Sequence, residues 1–199
     1  RMSKQVVEQA VDTSRKKMLV DSIDLIQFHW WDYSNNAYHD ALVHLQSLKD
    51  EGKIRHIGLT NFDTDRLQII KDWGIEIVTN QIQYSIIDQR PSVKMEKFCI
   101  ENNVFLLTYG TICGGLISEK YLGAPEPTED ELDTLSLHKY KNMIDAWGGW
   151  ELFQELLQIL HKIAQKHNVS IANVATRFVL DKPAVAGVII GARLGVSNH

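Results

Sequence analysis

The sequence predicts a parallel α/β fold. Two observations carry this. Short apolar runs alternate along the chain with amphipathic segments of helical spacing. None of those runs alternates strictly between apolar and polar residues, as strands do in a sheet wet on one face, so the sheet is predicted to be covered on both. A doubly wound sheet and a (β/α)8 TIM barrel both satisfy this pattern.

In chain order, residues 2–19 carry Met2, Val6, Val7, Ala10, Val11, Met18 and Leu19 near helical spacing. Residues 23–30 are short and largely apolar and read as a buried strand. Residues 37–50 form an amphipathic helix with Ala41, Leu42, Leu45 and Leu48 inward, and Gly52 stands where a left-handed cap is needed. A strand over 54–60 follows, then a helix to about Trp73 with Asp63 as its N-cap. Residues 75–84 read as a strand, Pro91 opens the next helix, and 104–109 is another strand. Residues 110–149, with Pro125, Pro127 and an acidic run, read as an excursion loop with helical turns around 136–146. A helix over 151–167 places Leu152, Leu156, Leu160 and Ile163 on one face. Ser170 caps another that Pro183 prevents from continuing past Asp181, and 185–190 is the last strand.

Composition bounds the function. The 199 residues are 44% hydrophobic and 23% charged with a formal net charge of -4, which suits a single domain over 1–199 with a substantial core. The slight acidity argues against a nucleic-acid partner. The longest apolar runs, such as 185–191, are too short to span a bilayer. Cys99 and Cys113 are too few for a disulfide framework, which points to a reducing, cytoplasmic setting. His161 and His167 are separated by about 600° of helix rotation and cannot share a metal. Trp147 and Trp150 are expected to anchor the long loop.

In parallel α/β architectures the active site lies at the carboxyl ends of the strands. There stand His29-Trp30, Thr60-Asn61, Asn80-Gln81 with Tyr84, Tyr109-Gly110 and Gly191-Ala192-Arg193. An imidazole, three amides, two tyrosines and a glycine-flanked arginine suit a polar small-molecule site with hydrogen-bond readers and a stacking ring.

Five segments then resemble one family in the correct order and spacing. Asp24-Leu25-Ile26-Gln27-Phe28-His29-Trp30 is similar to the fourth barrel strand of the aldo-keto reductases. The segment from Gly52 to Thr60-Asn61-Phe62 is similar to the fifth, and Asn80-Gln81-Ile82-Gln83-Tyr84-Ser85 to the sixth. Tyr109-Gly110 through Gly114-Gly115-Leu116-Ile117 resembles the seventh strand and its loop, and Val188-Ile189-Ile190-Gly191-Ala192-Arg193 the eighth.

The resemblance implies a carbonyl reductase using NADP(H) rather than NAD(H). His29 would polarise the carbonyl of a small-molecule aldehyde or ketone, and Trp30 would wall its pocket. Thr60, Asn61 and Gln81 would bond the nicotinamide carboxamide, and Tyr109 would stack on the ring. Gly110, Gly115 and Leu116 would bring backbone N–H groups to the pyrophosphate, and Arg193, beside the cofactor-binding Gly191, would meet the adenosine 2′-phosphate. Thr60 stands for the usual serine, Gly110-Thr111 for Ser-Pro, and Trp31 for a frequent proline. The family's catalytic tyrosine, lysine and aspartate belong to strand regions that would precede residue 1; Tyr33 and Lys4 are not in matching contexts. A full barrel takes about 250 residues, so the resemblance implies an N-terminally incomplete barrel of about five of eight βα units. Its open sheet edges would fall at the fourth and eighth strands. Two other readings stand beside the enzyme: an NADP-binding regulatory or sensing protein with weak turnover, and an inactive truncated fragment.

Overall fold

The computed structural model describes residues 2–191. Ser3 opens the first element, its side chain accepting from the Val6 N–H at the start of α1 (Lys4–Met18). Arg15, Lys16 and Lys17 occupy the last turn, where cations suit the negative helix end, and Leu19 closes it in the left-handed region. Only Val7 and Val11 of the expected apolar face are buried; Val6 and Met18 are exposed.

The remaining elements alternate: β1 (Ile23–His29), α2 (Ala37–Asp50), β2 (Ile54–Thr60), α3 (Thr64–Asp72), β3 (Thr79–Gln83), α4 (Met95–Asn102), β4 (Phe105–Tyr109), then α5 (Leu135–Trp147), α6 (Gly149–His167), α7 (Ile171–Leu180) and β5 (Val185–Ile189). The strands form one sheet in the order β1-β2-β3-β4-β5. β1 pairs β2, and β2 pairs β3, both parallel. Among the described residues no helix is long and apolar enough to cross a membrane.

The contacts of the described residues group into two compact units, residues 2–82 with 94–107, and residues 83–93 with 108–191. In the first, α2 packs Ala41, Leu42, Leu45 and Leu48 inward, while Ile54, Ile57 and Leu59 of β2 are fully or almost fully buried. Gly52 adopts φ +78, the left-handed geometry that ends α2. Asp63 caps α3 as its spacing predicts, accepting from the Arg66 N–H at 2.8 Å. On β1–β3, Gln27 Nε2 donates to Thr79 Oγ1 at 3.0 Å. Gly58 is the register partner of both Gln27 and Thr79. A Cβ at Gly58 would lie 2.1 Å from Thr79 Oγ1 and 2.4 Å from Gln27 Oε1, so only glycine leaves room for that crossing.

The second unit is built on α5, α6 and α7. Within 110–149 the helical turns expected around 136–146 form a full helix: Thr134 caps α5, 13 residues long, whose Leu137, Tyr140 and Ile144 are buried. Trp150 anchors the segment before it, its indole N–H donating to the Ala124 carbonyl at 3.1 Å. The inward stripe of α6 is Trp150, Phe153, Leu157, Leu160 and Ala164, with Leu152 and Ile163 exposed. Two apolar stripes of helical spacing compete on this helix, and the one carrying the two large rings is buried. Ser170 and Asn173 form a capping box on α7. Two other expectations change. Pro91 lies in a short 3₁₀ turn, Arg90–Ser92, and α4 begins only at Met95 because Lys94 leaves helical geometry. The strand expected over 75–84 is shorter, Thr79–Gln83, although Ile75 and Ile77 before it are buried.

Asp88 ties the turn after β3. Its buried carboxylate accepts from Gln83 Nε2 at 2.8 Å and from Arg90 Nε and Nη2 at 2.7 Å each. Burial alone would raise this carboxyl, but the hydrogen bonds and charge of Arg90, with Gln83, outweigh it and hold it below the usual range.

Two outcomes follow. Gly58→Ala is expected to destabilise the fold by about 1–3 kcal/mol, read by chemical denaturation, because the added methyl has no space. A carboxyl whose pKa falls on folding stabilises the native state above the ordinary carboxylate range and loses that contribution as pH drops through it. The thermal midpoint of Asp88→Asn is therefore expected below that of the parent chain at about pH 7, with the gap closing toward about pH 3.

Candidate cofactor and carbonyl site

In the first unit, three predicted residues end three adjacent strands. His29 of β1 is the register partner of Thr60, and Thr60 that of Gln81. Register partners in parallel strands share a face, so the imidazole, hydroxyl and carboxamide form one row. Thr60 is buried and His29 and Gln81 are half-buried. One pleat below lies the Gln27–Gly58–Thr79 crossing, so the row rests on a hydrogen-bonded layer.

The chain turns sharply after Thr60. Asn61 has φ +60, a left-handed conformation that asparagine tolerates better than most residues. Its N–H donates to the Gln81 carbonyl at 2.9 Å, which ties the turn to the row. Phe62, almost fully buried, packs edge-on against Tyr33 and Tyr38 at centroid distances of 5.3 and 5.8 Å.

The two tryptophans after β1 separate. The Trp30 ring stacks with Phe28 at 6.0 Å, and its indole N–H donates to the carbonyls of Asp32 and Asn35. Trp31, 84% exposed, lies 3.9 Å from the His29 ring. The aromatic surface beside the imidazole thus comes from Trp31, which the sequence marks only as a substitution for proline.

The second unit carries Tyr109, Gly110, Gly115, Leu116 and Gly191. A cleft of about 420 Å³ is lined by Tyr109, Gly110, Gly115 and Gly191, and also by Ser136 and Tyr140 of α5. Gly110 has φ +72, and a Cβ there would lie 2.4 Å from the Tyr140 hydroxyl. The Gly115 and Leu116 N–H groups donate to the Ile112 and Cys113 carbonyls, closing turns within the loop. Those two N–H groups are thus taken by the loop's own carbonyls, and open space remains at Gly115, with nothing within 4 Å of where its Cβ would stand. Leu116 itself is fully buried.

Lys139 of α5 extends the predicted set. Its Nζ lies 5.2 Å from the Tyr109 ring centroid and 5.0 Å from that of Tyr140, within cation–π range. Burial, with the charge of Arg90 adding to it and that of Asp88 opposing, lowers its ammonium below the ordinary lysine value. Burial pushes the Tyr140 phenol up to about 12, so it is a neutral hydroxyl. Both fall within the helical turns expected around 136–146, but nothing local marks either side chain as facing Tyr109. Burial also pushes the Cys113 thiol up to about 12, which removes it as a nucleophile. Arg193 lies outside the described residues.

Comparison with known proteins agrees with this architecture. The aldo/keto reductase family model matches residues 1–195. The chain is 31% identical over 179 residues to flagellar radial spoke protein 5 of Chlamydomonas reinhardtii, covering 81% of this chain and 34% of that protein. It is 30% identical to the aldo-keto reductase YhdN of Bacillus subtilis, covering 94% and 54%. Among solved structures, a glycerol dehydrogenase of Gluconobacter oxydans superposes with a TM-score of 0.76 at 24% identity, covering 93% of this chain and 54% of that one. The chain thus spans between a third and about half the length of these proteins. The parallel α/β sheet is that of the family's TIM barrel, and with the family model matching nearly end to end, the chain belongs to the aldo/keto reductase family.

Proposed function

We propose that this chain supplies the cofactor- and carbonyl-binding part of an NADP(H)-dependent oxidoreductase that reduces an aldehyde or ketone to an alcohol. The observation that carries the reading is the row His29–Thr60–Gln81 at the carboxyl ends of β1, β2 and β3. Such a row offers a polarising donor beside a pair of groups able to read a carboxamide.

The residues fit a nicotinamide dinucleotide. A carboxamide has one acceptor and two donor hydrogens, and Thr60, Asn61 and Gln81 hold complementary groups. In the second unit, Tyr109 offers a ring face, Gly110 admits the Tyr140 side chain, and Gly115 leaves open space where a side chain would otherwise stand. When bound, the cofactor supplies the hydride. A ring N–H of His29 would donate to the substrate carbonyl oxygen and stabilise charge building there. Trp30 and Trp31 give the substrate side an aromatic border. Lys139, beside Tyr109, adds positive charge suited to a phosphate-bearing ligand. The preference for NADP(H) over NAD(H) rests on Arg193. The alcohol also needs a proton, and none of the described residues is assigned to deliver it. A cytoplasmic protein acting on small molecules completes the reading, in keeping with two buried free thiols.

A second reading is favoured by the 31% identity to a flagellar radial spoke protein. In it the family's cofactor groove serves an assembly or sensing role, with weak turnover.

NADPH titrated against the intrinsic fluorescence of the five tryptophans is expected to give saturable quenching, accompanied by carbonyl-dependent NADPH oxidation. Quenching without oxidation supports the second reading, and no quenching rejects both. Gln81→Ala is expected to weaken NADPH binding about 3- to 10-fold through a lost hydrogen bond. His29→Ala is expected to lower turnover about 10²- to 10³-fold with NADPH affinity nearly unchanged, as loss of one polarising donor does.

A further inference from the structure

The turn after β2 is held at three backbone atoms. Beyond the Asn61 N–H bond to Gln81, the Tyr33 hydroxyl donates to the Asn61 carbonyl at 3.0 Å. The Asn80 side-chain Nδ2 donates to the Phe62 carbonyl at 2.9 Å. These two donors come from opposite sides in sequence, the loop after β1 and the strand β3, and they grip consecutive carbonyls.

Neither residue reads as a simple packing choice. Asn80 is fully buried, and its Oδ1 finds no hydrogen-bond partner. An orphaned buried acceptor is costly, and a leucine of similar size would avoid it, so what the site needs from Asn80 is the donor. Asn80 points to the opposite face of β3 from Thr79 and Gln81, so it grips the turn from behind the row. Tyr33 is itself fixed: the Arg66 guanidinium lies 4.1 Å from its ring centroid, and Phe62 packs edge-on against it. Burial pushes its phenol up to about 12, so its hydroxyl keeps the proton it donates.

We propose that Tyr33 and Asn80 are positioning residues that hold Thr60 and Asn61 in the geometry that reads the carboxamide of a nicotinamide dinucleotide. The inference rests on the proposed cofactor role of Thr60, Asn61 and Gln81. The left-handed backbone of Asn61 aims its own side chain and closes the strand end that carries Thr60, and it is held where its carbonyl and that of Phe62 are pinned. Loosening either carbonyl frees the turn without touching the ligand.

The test compares two ligands by calorimetry on the full chain: NADPH, and 2′-phospho-ADP-ribose, which keeps the adenosine and diphosphate but lacks nicotinamide. Tyr33→Phe, which removes one oxygen, and Asn80→Ser are each expected to weaken NADPH roughly 3- to 10-fold and to leave 2′-phospho-ADP-ribose unchanged. A parallel loss for both ligands means the clamps only support folding and overturns the proposal, as does unchanged NADPH affinity. If Asn80→Ser does not fold, Tyr33→Phe decides alone. Failure of the unmodified chain to bind NADPH would instead overturn the functional reading, and this inference with it.

Discussion

The parallel register of β1, β2 and β3 is the constraint on which the rest of the first unit depends. Because His29, Thr60 and Gln81 are register partners, their side chains meet on one face without any loop having to bring them there. A one-residue slip of any one of these strands would turn its polar group to the other face of the sheet and break the row. The register is defended from below by the Gln27–Thr79 hydrogen bond, which spans β2 only because Gly58 has no side chain. One glycine therefore makes room for the hydrogen bond on which the polar row rests.

Above the row, the chain must leave β2 and enter α3 within three residues. Asn61 accepts the left-handed conformation, Asp63 caps the helix, and the two carbonyls between are pinned by Tyr33 and Asn80. The aromatic groups around Phe62 give this turn a packed wall. The second unit shows the same economy at Gly110, where the Tyr140 hydroxyl approaches so closely that the absence of a Cβ shapes the cleft.

The row and the glycines were legible because each sits at the end of an apolar run or inside a recognisable motif. Asp63 and Ser170 were equally legible as caps, since capping is a local hydrogen bond between neighbours in sequence. Lys139 and Tyr140 were not. Their helix lies behind Pro125, Pro127 and an acidic run, and nothing local shows that Leu137, Tyr140 and Ile144 have a core to enter. The α6 stripe was misplaced for a related reason: two faces of that helix are apolar, and the facing helices select between them. Pro91 carried a valid helix-start signal, yet the backbone at Lys94 delays the helix to Met95.

The sequence by itself determined the alternation of strands and helices, the caps, and which polar residues stand at the strand ends. These follow from hydrophobic period and from hydrogen bonds spanning a few residues, both of which are written locally. Only the tertiary structure decided that Trp31 rather than Trp30 lies against the His29 ring, that Tyr33 and Asn80 grip the turn, and that Lys139 stands beside Tyr109. Each of these pairings depends on the direction of a side chain or on a partner distant in sequence. Packing sets both, and no local pattern encodes them.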